Sequence, residues 1–234
     1  MKVALISAFR NAEKYMNDYY RQVVSLHYAL QARHDSLRCA WGEGDSTDCT
    51  LKRLKGFTNG LDAEVVDCTH GGPVYGPIVN AQRFRQLAHV GNRLWAHIPD
   101  AADVVVLVES DLIWEAATLV ALIDHLENVP CVAPMIMEQS TGGFYDVWAF
   151  RRGWVNFTKC APYHADIASA GSADERRQAS LLQLDSAGSC LAMNASLARK
   201  LMWSEENVIV GICEQINQLG GGVFLDPALT VAHP

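Results

Sequence analysis

No C-x-x-C pair occurs among the seven cysteines, Cys39, Cys49, Cys68, Cys131, Cys160, Cys190 and Cys213. Most sit in apolar runs, where a free thiol behaves as a small hydrophobe, so neither a zinc site nor a disulfide lattice is expected. No stretch of about 18 apolar residues is present, and nothing in the sequence reads as a membrane-spanning helix. The opening MKVALISAFRNAEKY offers an apolar stretch of only about six residues before Arg10, too short for a signal-peptide core, with no small-residue cleavage site after it. Reduced thiols and the missing leader together set the expectation of a cytoplasmic protein. Charge is sparse and of the wrong sign for polyanions: 19% of residues are charged and the net charge is -7. The molecule as a whole repels nucleic acid and anionic membranes, so either partner would require a local basic patch. Internal repeats and low-complexity tracts are also missing.

What is present is a sequence able to bury a core, with half of its 234 residues hydrophobic, a length that suits one α/β domain over 1–234. Val3 to Phe9 is a continuous apolar run, as a buried parallel strand requires. From Glu13 to Ala32 apolar and aromatic positions recur at three and four, the spacing of one helix face. Ser36–Trp41 reads as a second strand, followed by the turn-rich Gly42–Asp48 and a helix from about Asp48 to Phe57. Ala63–Cys68 is a third strand, Asn80–His97 a helix, and Asp103–Val108 an apolar strand that stops at Glu109-Ser110-Asp111. A helix over Ala116–Glu127 and a strand over Cys131–Met137 complete five alternations, which predicts a mostly parallel sheet with helices on both faces. Periodicity loosens from Phe144 to Leu184. Beyond it, Asp185–Met193 reads as a strand, Ala195–Met202 and Ile209–Leu219 as helices, and 223–225 with 229–231 as closing strands.

Ligands of an open parallel sheet bind beyond the carboxyl ends of its strands. Four polar clusters fall there: the turn from Ser7 to Asn11, the loop around Asp45 to Asp48, the acidic triplet, and His233. Carboxylates and a histidine without cysteine suit a hard divalent ion, Mg²⁺ or Mn²⁺, held together with substrate phosphates. In the triplet, Glu109 and Asp111 share one side of an extended segment, because alternate residues do, and can grip a metal or a ribose together; Asp111 could instead cap the next helix.

These residues resemble the GT-A glycosyltransferases of the family 2-like kind, whose mark is a D-x-D-type motif after the central strand, here Glu109-Ser110-Asp111. VALISAFRN is similar to the first nucleotide-binding strand, GEGDSTDCT to a displaced acidic loop, and ICEQINQLGGGVFLDPALTVAH to the late acidic-helix element with its terminal histidine. FYDVWAFR also resembles a stretch of the CAP59-like mannosyltransferases, although the second acid of that stretch is absent, Gly153 following Arg151-Arg152. The resemblance implies a GT-A, Rossmann-like domain with a nucleotide-sugar-binding half over 1–115 and an acceptor half over 116–234. It implies a metal-dependent transferase moving a sugar from a nucleoside-diphosphate sugar to an acceptor hydroxyl on a glycan, a small molecule or a modified nucleic-acid base.

Carried over position by position, the resemblance makes Asp111 a metal ligand and Glu109 a contact to metal or ribose, with His233 completing the metal shell or meeting the diphosphate. Ser7, Phe9, Arg10, Asp45, Arg83 and Ser110 fall on the donor side. Asp45 and Asp48 would contact base or ribose, or else cap the following helix. Arg83 and Arg93 would present forked donors to phosphate, or remain solvated. Glu214 is the candidate general base and Asp146 its competitor. Trp148, Arg151 and Trp154 interleave aromatic and basic character on the acceptor side.

Two other readings stay open at this level. A sugar nucleotidyltransferase would need a Gly-rich basic loop after strand one, where SAFRNAEKY has no glycine. A non-catalytic nucleotide-sugar-binding module is the other, kept open by glutamate at position 109.

Overall fold

A computed structural model describes residues 1–76, 79–146, 148–153, 155–156 (backbone only) and 181–234. Trp154, named above for the acceptor side, lies outside the described residues.

The first half is a regular alternation. Strand β1 (Lys2–Phe9) leads through a 3-10 turn at Glu13–Tyr15 to helix α1 (Met16–Gln31), then β2 (Ser36–Glu43), α2 (Thr50–Phe57), β3 (Ala63–Asp67), α3 (Ala81–Trp95) and β4 (Val104–Val108). The causes are local. β4 is VVVLV, a β-branched run buried on both faces, the composition that favours a central strand. In α1, Met16, Tyr19, Val23, Leu26 and Leu30 are buried at intervals of three and four, so the helix lays one stripe on the sheet. α3 begins where the Asn80 side chain accepts from the backbone N–H groups of Gln82 and Arg83, a cap that satisfies two otherwise orphaned donors.

The second half adds α4 (Ala116–His125), β5 (Cys131–Glu138), the short pair β6 (Arg151–Arg152) and β7 (Val155–Asn156), β8 (Leu182–Leu184), β9 (Cys190–Asn194), α5 (Ala195–Ala198), α6 (Val208–Gln218) and β10 (Val223–His233). Eight strands form one sheet in the order β3-β2-β1-β4-β9-β5-β10-β8. β1, β2, β3 and β4 pair in parallel, as do β5 and β10, whereas β9 runs antiparallel to both β4 and β5, and β8 antiparallel to β10. The sheet is therefore mixed and mostly parallel. Helices α1 and α4 pack together on one side and α3 meets α6 on the other.

The chain winds outward from β1 to β3 and then returns to place β4 on the opposite flank of β1. This reversal is the topological switch point, and it opens a crevice past the carboxyl ends of β1 and β4. A second irregularity bears on the site: β10 follows β5 in register from Val223 to Asp226, slips, and resumes at Thr230 through His233 opposite Met135 through Glu138. Within that last stretch Ala232 also bridges to Ile113, just beyond the acidic triplet.

Some expected boundaries move. Residues 185–189 are a turn ahead of β9, because Ser189 takes a left-handed conformation (φ +56°) that a strand cannot hold. The helix expected over Ala195–Met202 stops at Ala198, and the two expected closing strands are one, interrupted at the slip.

Candidate functional site

Two cavities of about 420 and 360 Å³ open at the switch point. They share Ala8, Arg83, Leu87, Val90 and Glu109, so they are neighbouring rooms with a common wall rather than separate sites.

The larger cavity is rimmed by loops. The end of β1 contributes Phe9, Arg10 and Asn11, and the turn after β4 contributes Glu109, Ser110 and Asp111. The rim is tied down by side chains that answer backbone groups. Arg10 donates to the carbonyls of Gly72 (2.6 Å) and Pro73 (3.2 Å), pinning the 71–73 loop across the crevice. Asp45 accepts from the backbone N–H of His70 (3.0 Å) and Gly71 (3.1 Å); these bonds, His70 first, hold its carboxyl below the usual carboxylate range. Asn11 accepts from the Thr47 N–H at 2.8 Å. Gly44 lets the two loops meet, since a Cβ there would stand 2.5 Å from the Cys68 carbonyl carbon.

The smaller cavity is walled mainly by side chains: Phe84 and Leu94 of α3, Trp148, Trp203 and Ile209, with Val79 at its edge. Its polar groups cluster at the shared wall. Asp146 accepts from the Ser189 hydroxyl (2.7 Å) and the Ala149 N–H (3.1 Å). Enclosure raises the Asp146 pKa, while those two donors and nearby His233 oppose the rise.

Electrostatics join the two rooms. Glu109 opens onto the crevice, but the surrounding protein, then Asp111 and Asp146, push its pKa up to about 8 against the pull of Ser189 and Arg83. The same three carboxylates, after burial, push the Tyr145 hydroxyl up to about 12. Tyr145 in turn stacks on His233, rings 3.7 Å apart and 9° from parallel. His233 Nε2 lies 3.4 Å from an Asp111 carboxylate oxygen. Three carboxylates thus crowd one point, a charge arrangement that a divalent cation would relieve.

Among the described residues no group of three or more His, Cys, Asp and Glu is placed to hold a metal ion. The donor set still fits Mg²⁺ or Mn²⁺, because such ions are commonly held by one or two protein ligands with phosphates and water completing the shell. Asp111 and His233 are the pair suited to that role, with Glu109 beside them.

Not every residue singled out in the sequence reaches the cavities. Ser7 is fully buried and accepts from the Tyr19 hydroxyl at 2.8 Å, because its side chain falls on the core-facing side of β1. Asp45 is committed to the 70–71 backbone as described. Asp48 accepts from the N–H of Thr50 (2.9 Å) and Glu13 (3.1 Å) at the start of α2. Arg93 is exposed and donates to the Asp67 carbonyl at 2.5 Å, away from the triplet. Glu214 lines neither cavity; its carboxylate lies 3.5 Å from the Asn207 side-chain amide. Arg151 rests over the Trp148 ring, 5.2 Å from its centroid, and donates to the Trp148 carbonyl.

Sequence reasoning passed over Trp203, Ser189, Tyr145 and Gly44. Tyr145 had a signal, its place beside Asp146. Trp203 had none, since its position depends on Gly91 of α3: a Cβ there would lie 2.2 Å from the indole. Backbone strain marks the cavities after the fact. Of the five non-glycine residues with positive φ among the described residues, Asn11, Ser189 and Val208 line the cavities and Asp45 braces one of them.

Comparison with known proteins places the fold. No protein-family model and no curated protein sequence matches the chain. Among solved structures it is similar to a 1–349 fragment of S. aureus TarS, with a TM-score of 0.59 and 14% identity over 96% of this chain and 58% of that one. The TarS fragment in complex with UDP-GlcNAc gives 0.57 and 14%, over 96% and 56%. Glucosyl-3-phosphoglycerate synthase from Mycobacterium tuberculosis, in complex with Mn²⁺, UDP and phosphoglyceric acid, gives 0.56 and 15%, over 100% and 70%. The chain thus spans a little over half the length of the TarS fragments. No helix of the described residues is long and apolar enough to cross a membrane. Over nearly its whole length the chain carries the fold of the GT-A glycosyltransferases.

Proposed function

We propose that this chain is a metal-dependent glycosyltransferase that moves a sugar from a nucleoside-diphosphate sugar to an acceptor hydroxyl. One observation carries the reading: Glu109, on the wall shared by a loop-rimmed cavity and a side-chain-walled one at the end of the central strand of a GT-A fold, has Asp111 in the first and Asp146 in the second, with His233, which lines neither, 3.4 Å from Asp111. The larger cavity is the donor site. Asp111 and His233 would hold Mg²⁺ or Mn²⁺, an ion that would supply positive charge against the diphosphate. Arg83, on the shared wall, faces the same negative charge, and Glu109 meets the metal or the ribose. Solved structures of this fold contain UDP-GlcNAc in one case and Mn²⁺ with UDP in another, which supports the ligand class.

The smaller cavity is the acceptor site, and Asp146 is the base that takes the hydroxyl proton as the acceptor oxygen attacks the anomeric carbon. Its raised pKa suits that task, and the Ser189 and Ala149 donors fix its direction. Glu214 is the poorer candidate, lying outside both cavities. In this reading residues 1–115 serve mainly the donor and 116–234 mainly the acceptor, except that Ala8, Leu107, Val108, Glu109 and α3 of the first half also wall the smaller cavity and His233 of the second half serves the metal.

The test is release of nucleoside diphosphate from nucleotide sugars with Mn²⁺ and no acceptor. Slow metal-dependent release, abolished in Asp111→Ala, is the expected result. Nucleotide-sugar binding with no turnover under any acceptor would leave a binding module, and pyrophosphate release from a nucleoside triphosphate plus a sugar phosphate would make it a nucleotidyltransferase.

A further inference from the structure

The acceptor cavity is selective in its chemistry. Phe84, Leu94, Trp148, Trp203 and Ile209 surround most of its 360 Å³ with carbon. Among the described residues the polar side chains that line it, besides the indoles of Trp148 and Trp203, are Arg83, Glu109, Tyr145, Asp146 and Ser189, and they perturb one another. Ser189 is already spent on Asp146. A polyol or sugar acceptor would press several hydroxyls against walls that return no hydrogen bond, a cost that selects against it. An anionic acceptor would meet two carboxylates, with Arg83 also engaged at the donor cavity. That differs from the phosphoglyceric acid bound in the mycobacterial structure.

We propose that the acceptor is a small, neutral, ring-bearing alcohol or phenol, an assignment that rests on the transferase reading. Its ring lies against the wall formed by Trp148 and Phe84, whose own rings pack 5.4 Å apart, and Ile209, and its one hydroxyl reaches Asp146. Apolar walls with a few convergent polar groups are the usual form of such a site, and aromatic walls favour a planar ring. The reaction balances: the acceptor oxygen bonds to the anomeric carbon as the bond from that carbon to the diphosphate oxygen breaks. The electron pair leaves with the diphosphate, and the hydroxyl proton passes to Asp146.

Isothermal titration of the full chain with 4-methylbenzyl alcohol, glycerol and 3-phosphoglycerate, each with and without UDP and Mn²⁺, tests this. The ring alcohol is expected to bind at least tenfold tighter than either of the others. Val79→Glu places a charge at the cavity edge on a residue 74% exposed, so folding is not at stake; it should weaken the alcohol at least fivefold and leave UDP affinity unchanged. Trp148→Ala should do the same. Glycerol or 3-phosphoglycerate binding as tightly as the alcohol, or Val79→Glu without effect, would overturn the proposal. A chain that binds UDP and Mn²⁺ but not the alcohol would sink this inference alone, whereas one that binds the alcohol but shows no affinity for UDP would support the ligand class and sink the transferase reading.

Discussion

The two cavities that meet at Glu109 are made by different means. On the donor side the rim is backbone, supplied by turns that follow β1, β2, β3 and β4 and tied by Arg10, Asn11 and Asp45. In the smaller cavity the wall is side chain, gathered from α3, from Tyr145, Asp146, Trp148 and Ala149, and from the start of α6. Backbone geometry is set by the sheet and changes only with the fold, whereas side chains can be exchanged without touching it. Under the proposed function, donor chemistry would be tied to the architecture, and acceptor choice free to vary upon it.

The sharpest way to break this division is Asp111→Ala. Mn²⁺-dependent UDP affinity should fall about a hundredfold, on the order of 3 kcal/mol, by isothermal titration, with ring-alcohol affinity in the absence of UDP unchanged. Asp146→Asn should do the reverse, lowering transfer about 10²- to 10⁴-fold in a steady-state assay, the ordinary range for a lost general base, while UDP affinity stays within about twofold. Equal turnover in that variant would return the role to Glu214. Gly44→Ala drives a Cβ into the Cys68 backbone; a cost of ~1–3 kcal/mol in denaturant unfolding is expected, with weaker UDP binding.

Asp45→Ala should lower UDP affinity about fivefold, roughly 1 kcal/mol, by loosening the 68–73 loop. Its effect on stability has a pH signature. Asp45 is held low in the folded state, so its contribution is complete above its unfolded pKa of about 3.9 and is lost as pH falls through the folded value. The melting temperatures of the two proteins should accordingly differ at pH 7, begin to converge only below about pH 4, and meet once the pH is below the folded-state pKa of Asp45. Smallest of all, Glu214→Gln should leave transfer within about twofold, because its carboxylate faces Asn207 rather than either cavity.

The parallel half was legible because each element declares itself locally. DVVVLV cannot be solvated on either face, and the α1 stripe repeats at helical spacing. The acidic triplet was legible for the same reason, being the first polar residues after such a run. Ser7 was misplaced because a side chain's face on a strand depends on sheet pairing, and the Tyr19 hydroxyl that claims it is brought there by packing. Asp45 and Asp48 read equally well as ligands or as turn residues, since a short carboxylate answers both a ribose and a backbone amide. The acceptor wall was the least legible part. Trp203 belongs to it only because Gly91 yields room, and no pattern within either segment relates the two.

The slip in β10 between Asp226 and Thr230 has a consequence for the metal centre. Strand side chains alternate in direction, so an odd or even count of residues before a point decides which way everything after it faces. His233 reaches Asp111 and Tyr145 on the parity of that interruption. Removing one residue between positions 226 and 230 would leave the sequence of the last four residues intact and turn the imidazole to the opposite surface.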